Sequence, residues 1–344
     1  MSLLRPLHRT STYQPMLAWS AIAGTAWVFV LVTLGAFTTS IGAGMVFPDW
    51  PLSNGSLNPD GWLRDLAMFS EHSHRLSAGL ITAVTLAIAL AVWLKDSRPW
   101  MRRLAWLALG LVLAQAIVGG LRVLMDHLQV ETVDTSVGRL FAMAHATLAQ
   151  LYICSLIATS ISLSRPWMES ASQRPRGTIA WRRTAVFCSC LLVLQLADAA
   201  VMRHSFAGTS IPTFPWSTPQ GDLLPAAWNF RVAIHFAHRA LALVITVALI
   251  VLVVRISRDP LASLRVKALA WGLLVLLALQ ITLGAAAVLT YRNPYFTTSH
   301  VVVGAQTLAL CFGLTWWSFR PAVQSLRAST PASRALNPQT ASVA

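Results

Sequence analysis

The residues able to do chemistry in this chain are histidines set in apolar surroundings. Glu71-His-Ser-His-Arg75 stands at the mouth of an apolar run that continues to Leu94. A second His-Arg pair, His238-Arg239, stands at the start of another, in Ile234-His-Phe-Ala-His-Arg-Ala-Leu-Ala-Leu243. Two further histidines have matching contexts, His145 in Phe141-Ala-Met-Ala-His145 and His300 in Phe296-Thr-Thr-Ser-His300. Polar groups cost free energy near lipid, so they persist there when paired, metal-bound or lining a cavity. Opposed imidazoles can ligate a metal, and an adjacent acid can orient a ring or move a proton.

The elements that carry these residues span a membrane. The chain is 56% hydrophobic and only 11% charged, against about 25% charged in a soluble domain. Its net charge of +14 lies in short clusters between apolar runs and not in one aromatic-interleaved patch, which argues against nucleic-acid binding. The four cysteines (Cys154, Cys188, Cys190 and Cys311) fall in or beside apolar runs and read as packing residues, with no disulfide framework. The first apolar run is span-length and has no small-residue cleavage site, so it reads as an uncleaved anchor.

Windows of about 20 apolar residues predict eight transmembrane helices, over 17–40, 67–94, 104–125, 139–163, 184–205, 230–254, 268–290 and 298–319. Most cations lie in 95–103, 164–183 and 255–267 and near the ends of the chain, so both termini are expected in the cytoplasm. The spans divide into two halves, 1–163 and 184–327, joined by a cytoplasmic linker over 164–183. A tail over 328–344, rich in Ser, Thr, Ala and Pro, is expected to be disordered. The halves echo each other: Gln115-Ala-Ile-Val-Gly-Gly-Leu-Arg-Val-Leu124 corresponds to Gln280-Ile-Thr-Leu-Gly-Ala-Ala-Ala-Val-Leu289. An even number of spans per half makes the repeat parallel, with each half a four-helix bundle. The expected fold is therefore an all-α integral membrane protein.

His74, His145, His238 and His300 fall on spans two, four, six and eight, each within about two turns of the outer end. Within each half two imidazoles can face each other across a bundle, as in bis-imidazole ligation of a porphyrin iron. Two imidazoles underfill a zinc site, and no cysteine or carboxylate cluster completes one. His72 lies roughly 200° around the helix from His74 and cannot share its site. His235 shares a face with His238 and is able to approach a ligand's edge. His8, in the cytoplasmic tail, and His127 and His204, near outer loops, read as solvated. Glu71 is three residues before His74, and the second half has Ile234 or His235 near that place, so only the first half carries an acid there. The first half is accordingly assigned to chemistry and the second to a retained cofactor. Asp198 is expected to pair internally, with Arg203 or His204 as candidates. Arg75 and Arg239 either snorkel to the headgroups or pair with heme propionates.

These residues resemble the heme A synthase family, in its cysteine-lacking branch. The resemblance runs from about Trp19 to Trp317. Glu71, His74 and Arg75 meet its Glu-x-x-His-Arg motif, and Pro48-Asp-Trp-Pro51 lies in a first outer loop like the family's. Some bacterial members carry cysteine pairs where this chain has Phe47 and Ser53, and another pair in the third outer loop, so no thiol–disulfide role is expected. The resemblance implies oxidation of the C8 methyl group of heme O to the formyl group of heme A, with water-derived oxygen, in the cell's inner membrane. It implies that His74 and His145 ligate the substrate heme iron, with Glu71 catalytic, and that His238 and His300 ligate cofactor heme b. Heme O synthase, an electron-transfer protein, membrane lipids and a second copy of the chain are the partners it suggests. A non-catalytic diheme electron carrier also uses paired histidines, though usually near both membrane faces. A proton-coupled transporter of two repeats would show interrupted helices and midplane polar residues, which are sparse. A di-iron membrane oxygenase would need more histidines, on the cytoplasmic side.

Overall fold

The computed structural model describes residues 9–131, 135–169 and 180–320. His8 and the 328–344 tail lie outside the described residues, as does half of the expected linker (170–179). Eight helices are long and apolar enough to cross a membrane, so this is an all-α, multi-pass membrane protein. They are α1 (Pro15–Ser40), α2 (Leu66–Lys95), α3 (Pro99–Leu124), α4 (Val137–Leu163), α6 (Arg182–His204), α7 (Phe230–Arg258), α8 (Leu264–Leu289) and α9 (Pro294–Ser318). A short helix, α5 (Arg165–Glu169), follows α4, and an antiparallel ribbon pairs β1 (Gln129–Val130) with β2 (Thr135–Ser136) before it.

Several helices run further than hydropathy predicts. α3 starts at Pro99, about a turn before the expected 104, because proline at the first position loses no helical hydrogen bond. Its first turns carry Arg102 and Arg103, which depress hydropathy but not helix formation. α7 continues through Arg255 to Arg258, and α8 begins at Leu264 where the Ser263 hydroxyl accepts from Val266 N–H. Long cations keep their heads in the polar zone while their stems cover apolar surface. Arg98 shows how this end is closed: it pairs with Asp96 at 2.7 Å and donates to the Ser162 carbonyl at 3.0 Å.

Within 15–163 the four long helices pack in succession, and within 182–318 the other four do the same. α1, α4, α6 and α9 also pack on one another and form the centre, while α2, α3, α7 and α8 lie outside. Two apolar cores result. One joins α1–α4 and borrows Ala305 and Ala309 from α9; the other joins α6–α9 and borrows Cys154 from α4. Cys154, Cys188 and Cys311 are buried in that second core, in keeping with a packing role. In lipid, hydroxyl pairs between helices add to close packing. Thr25 meets Ser160 at 2.7 Å between α1 and α4, and Ser189 meets Thr315 at 2.9 Å between α6 and α9. The loops 41–65 and 205–229 have little regular structure and cover the end of the bundle where the four paired histidines lie.

The fully buried Ala305 sets how closely α9 approaches α1–α4. Ala305→Leu should cost about 1–3 kcal/mol by overpacking, whereas Leu243→Ala, at a 67% exposed position, should cost under about 0.5 kcal/mol. Thermal unfolding in detergent, followed by circular dichroism, checks the difference.

Candidate functional site

The helices bring the four predicted histidines into two facing pairs. His74 on α2 faces His145 on α4, with ring centroids 6.5 Å apart. His238 on α7 faces His300 on α9 at 6.4 Å. A ring centroid lies about 1.1 Å from its nitrogens and a metal–imidazole bond is about 2.0 Å long, so one metal between two imidazoles puts the centroids about 6.3 Å apart. Both pairs have that spacing.

The donor chemistry fits as well. Each Nδ1 is tied to a partner: His74 to the Leu31 carbonyl (3.3 Å), His145 to the Gln115 carbonyl (3.0 Å) and His300 to the Gln280 carbonyl (3.1 Å). His238 Nδ1 instead meets Asp198 Oδ2 at 2.9 Å. A neutral imidazole that donates through Nδ1 keeps its lone pair on Nε2, the form that ligates a metal. The neighbouring helix must come close for a ring to reach its backbone. A Cβ on Gly119 would lie 2.8 Å from His145 Cε1, and one on Gly284 would lie 2.9 Å from His300 Cε1. Gln115 also donates to the His145 carbonyl at 2.8 Å, and Gln195 to the His238 carbonyl at 3.0 Å.

The partner of Asp198 differs from the one expected. Arg203 and His204 lie five and six residues further along α6, where they point away from Asp198 around the helix. Asp198 reaches across to α7 instead.

Arg75 and Arg239, read as either snorkelling to the headgroups or pairing with propionates, make their contacts with the covering loops. Arg75 donates to the carbonyls of Phe47, Asp49 and Leu52 and pairs with Glu71 at 2.6 Å. Arg239 donates to the carbonyls of Ile211, Thr213 and Trp216. Each thus clamps a covering loop to its helix. The residue four before each arginine completes the clamp. Glu71 Oε2 accepts from Val46 and Phe47 N–H at 2.8 and 3.1 Å, and His235 Nδ1 accepts from Ile211 N–H at 3.2 Å. His235 is therefore the counterpart of Glu71 and turns toward its loop. His72, buried, meets the Ser53 hydroxyl at 2.9 Å and the Leu57 carbonyl at 3.2 Å, and so anchors the first loop further.

A cavity of about 620 Å³ opens inside α1–α4, within the usual range for small-molecule sites. Glu71, His74 and His145 line it, with apolar walls from α1, α2 and α3. Wall residues missed in the sequence include His72 on α2, which lines the same cavity as His74 despite their separation around the helix, Arg122 on α3, and Arg203 and His204 at the end of α6. His204 was expected to be solvated, but the packing of α6 on α4 turns it into the cavity. One signal for Arg122 was available, since the repeated run has Ala287 in its place. Its guanidinium packs on Gly44, where a Cβ would clash with it. Among the described residues it has no hydrogen-bond partner; the charges it feels are those of Glu71, Asp126 and Arg75. Arg203 reaches the Ala36 carbonyl (2.7 Å) and the Ser40 hydroxyl (2.8 Å) on α1, and lies in the field of Arg122. Three guanidinium groups face one carboxylate, Glu71, around this cavity. The surplus of two positive charges in an apolar setting suits a ligand with two carboxylates.

Asp49 organises the turn of the first loop by accepting from Asn54 and Gly55 N–H at 2.8 and 2.7 Å. Burial pushes its carboxyl up, but those two N–H groups and Arg75 outweigh this and hold it below the ordinary carboxylate range. A group with a lowered pKa stabilises the fold above its unfolded value of about 3.9, and that contribution is lost as pH falls through the lower folded value. Limited proteolysis of loop 41–65 should accordingly be slow at neutral pH and accelerate only below about pH 4, with Asp49→Asn abolishing that acid step. Arg75→Ala should open the loop at every pH and cost about 3–5 kcal/mol in thermal unfolding, because Glu71 then keeps a buried charge without its cation.

Comparison with known proteins bears on the whole arrangement. Residues 17–312 match the COX15-CtaA family, described as cytochrome oxidase assembly proteins. The heme A synthase of Staphylococcus saprophyticus is 23% identical over 87% of this chain and 93% of its own length. That of Geobacillus kaustophilus is 27% identical over 93% of this chain and 95% of its own. The match reaches from α1 into α9 and includes both histidine pairs, and the chain belongs to the COX15-CtaA family of cytochrome oxidase assembly proteins.

Proposed function

We propose that this protein is a heme A synthase, which oxidises the C8 methyl group of heme O to a formyl group. The observation that supports the reading is the pair of imidazole pairs at 6.5 and 6.4 Å, the first of which opens into a cavity walled by an acid and an excess of arginine. His74 and His145 hold the substrate by its iron, and the pair fixes the porphyrin plane so that one methyl group meets the same side chains at each turnover. Arg122 and Arg203 receive the two propionates, which sets the rotation of the ring within that plane. Each hydroxylation takes its oxygen from water and releases two electrons and two protons. Loss of water from the doubly hydroxylated carbon leaves the aldehyde.

Glu71, in the cavity wall and tied to Arg75, is the group available for proton transfer at the reacting edge. His238 and His300 fit a resident heme b, which supplies one-electron transfer when bound. His238 is held there by Asp198, and His300 by Gln280. The clamped loops shield the sites from water on one face, which we assign to the outside of the cell's inner membrane, with both termini in the cytoplasm. The diheme carrier is the weaker reading because both pairs lie at one end of the bundle.

Co-expression with a heme O synthase followed by analysis of extracted hemes tests the proposal. Heme A or its hydroxylated precursor is expected, and the absence of both would sink it. Glu71→Ala should lower product about 10²–10⁴-fold while heme b remains bound. Arg122→Gln should weaken binding of heme O by about 10-fold or more but leave binding of its propionate diester unchanged.

A further inference from the structure

The four paired imidazoles are not held alike. Three of them place Nδ1 against a backbone carbonyl of a neighbouring helix. Only His238 faces a carboxylate, Asp198 Oδ2 at 2.9 Å, with side chains 13% and 11% exposed. The corresponding position in the first half, 164 residues earlier by the offset between His74 and His238, is Leu34. The difference is therefore built into one half alone. Among the described residues Asp198 has no other hydrogen-bond partner, and a carboxylate at this depth in an apolar bundle is costly without one. Gln195 packs its amide nitrogen 3.1 Å from both ring nitrogens of His238 and donates to the His238 carbonyl at 3.0 Å, which limits the ring's freedom to turn away from Asp198.

A carboxylate that accepts from Nδ1–H fixes the tautomer of an imidazole and raises the basicity of Nε2 more than a neutral carbonyl does. A stronger donor favours the more oxidised state of a bound iron and lowers its reduction potential. We propose that Asp198 is a positioning residue for the second imidazole pair, locking His238 in the Nδ1–H form and lowering the potential of the heme iron bound between His238 and His300. The inference rests on the reading of that pair as the heme b site. Its consequence is an asymmetry between the two pairs: a heme iron held at the second would favour the ferric state more than one held by carbonyl-bonded imidazoles alone, without any difference in axial residue type.

The test is an optical redox titration of heme b in the purified full-length protein, with heme content measured in parallel. Asp198→Leu should keep the bis-imidazole absorption bands and shift the midpoint potential upward. Asp198→Asn, which retains an acceptor oxygen but no charge, should fall between Asp198→Leu and the native protein. Asp198→Glu should restore most of the native value. A native midpoint in heme-loaded Asp198→Leu would overturn the proposal, as would loss of heme from Asp198→Glu in a protein still helical by circular dichroism. The underlying reading fails separately: His238→Ala that keeps the native heme b spectrum would remove the site itself, whatever the Asp198 variants do.

Discussion

The structure depends on one constraint, that an imidazole inside an apolar helix bundle must have its Nδ1 satisfied by the bundle itself. An unsatisfied polar group inside the bundle costs several kcal/mol. The chain meets this by bringing a backbone carbonyl, or in one case a carboxylate, to each ring. The solution forces the rest. Helices must approach closely, which requires glycine at 119 and 284, and they must keep their register, which the Gln115 bond to the His145 carbonyl enforces. With Nδ1 committed, the Nε2 lone pair is the one able to take a metal, and both pairs have the spacing for a shared one.

The second layer of organisation is the covering loops. Arg75 and Arg239 draw loop carbonyls down onto α2 and α7, next to His74 and His238. A guanidinium satisfies several carbonyls at once because its donors point in a fixed fork. The adjacent His-Arg in each half therefore combines two duties, a candidate metal ligand and a loop clamp, on consecutive residues that face different directions. Glu71 and His235 share the clamp, and their difference matters for chemistry: the acid also lines a cavity, while the imidazole is taken up by its loop.

The two sets of four helices each carry a histidine pair and differ in their polar inserts. The first has Arg122 where the second has Ala287, and the second has Asp198 where the first has Leu34. Arg203 belongs to α6 by sequence yet lines the first cavity and bonds to α1. The site in the first half is thus completed by a helix of the second, so the central packing of α1, α4, α6 and α9 serves the site as well as stability.

Much of this was legible in the sequence. Eight apolar runs dictate eight spans, because a helix is the only open structure that satisfies its own backbone in lipid, and the recurrence of His74 and His145 as His238 and His300 marks them out as a set. What periodicity could not decide is which way a polar side chain turns at the end of a span. The sequence places Arg75 beside His74, but whether it faces a ligand or a loop depends on where loop 41–65 folds back. In the same way, Asp198 meets His238 and not Arg203 because α6 lies against α7, a matter of contact between residues 40 positions apart. Local composition determines the helices and the residues fit for chemistry; the assignment of each polar group to its partner is settled only when long-range packing leaves one neighbour within hydrogen-bond reach.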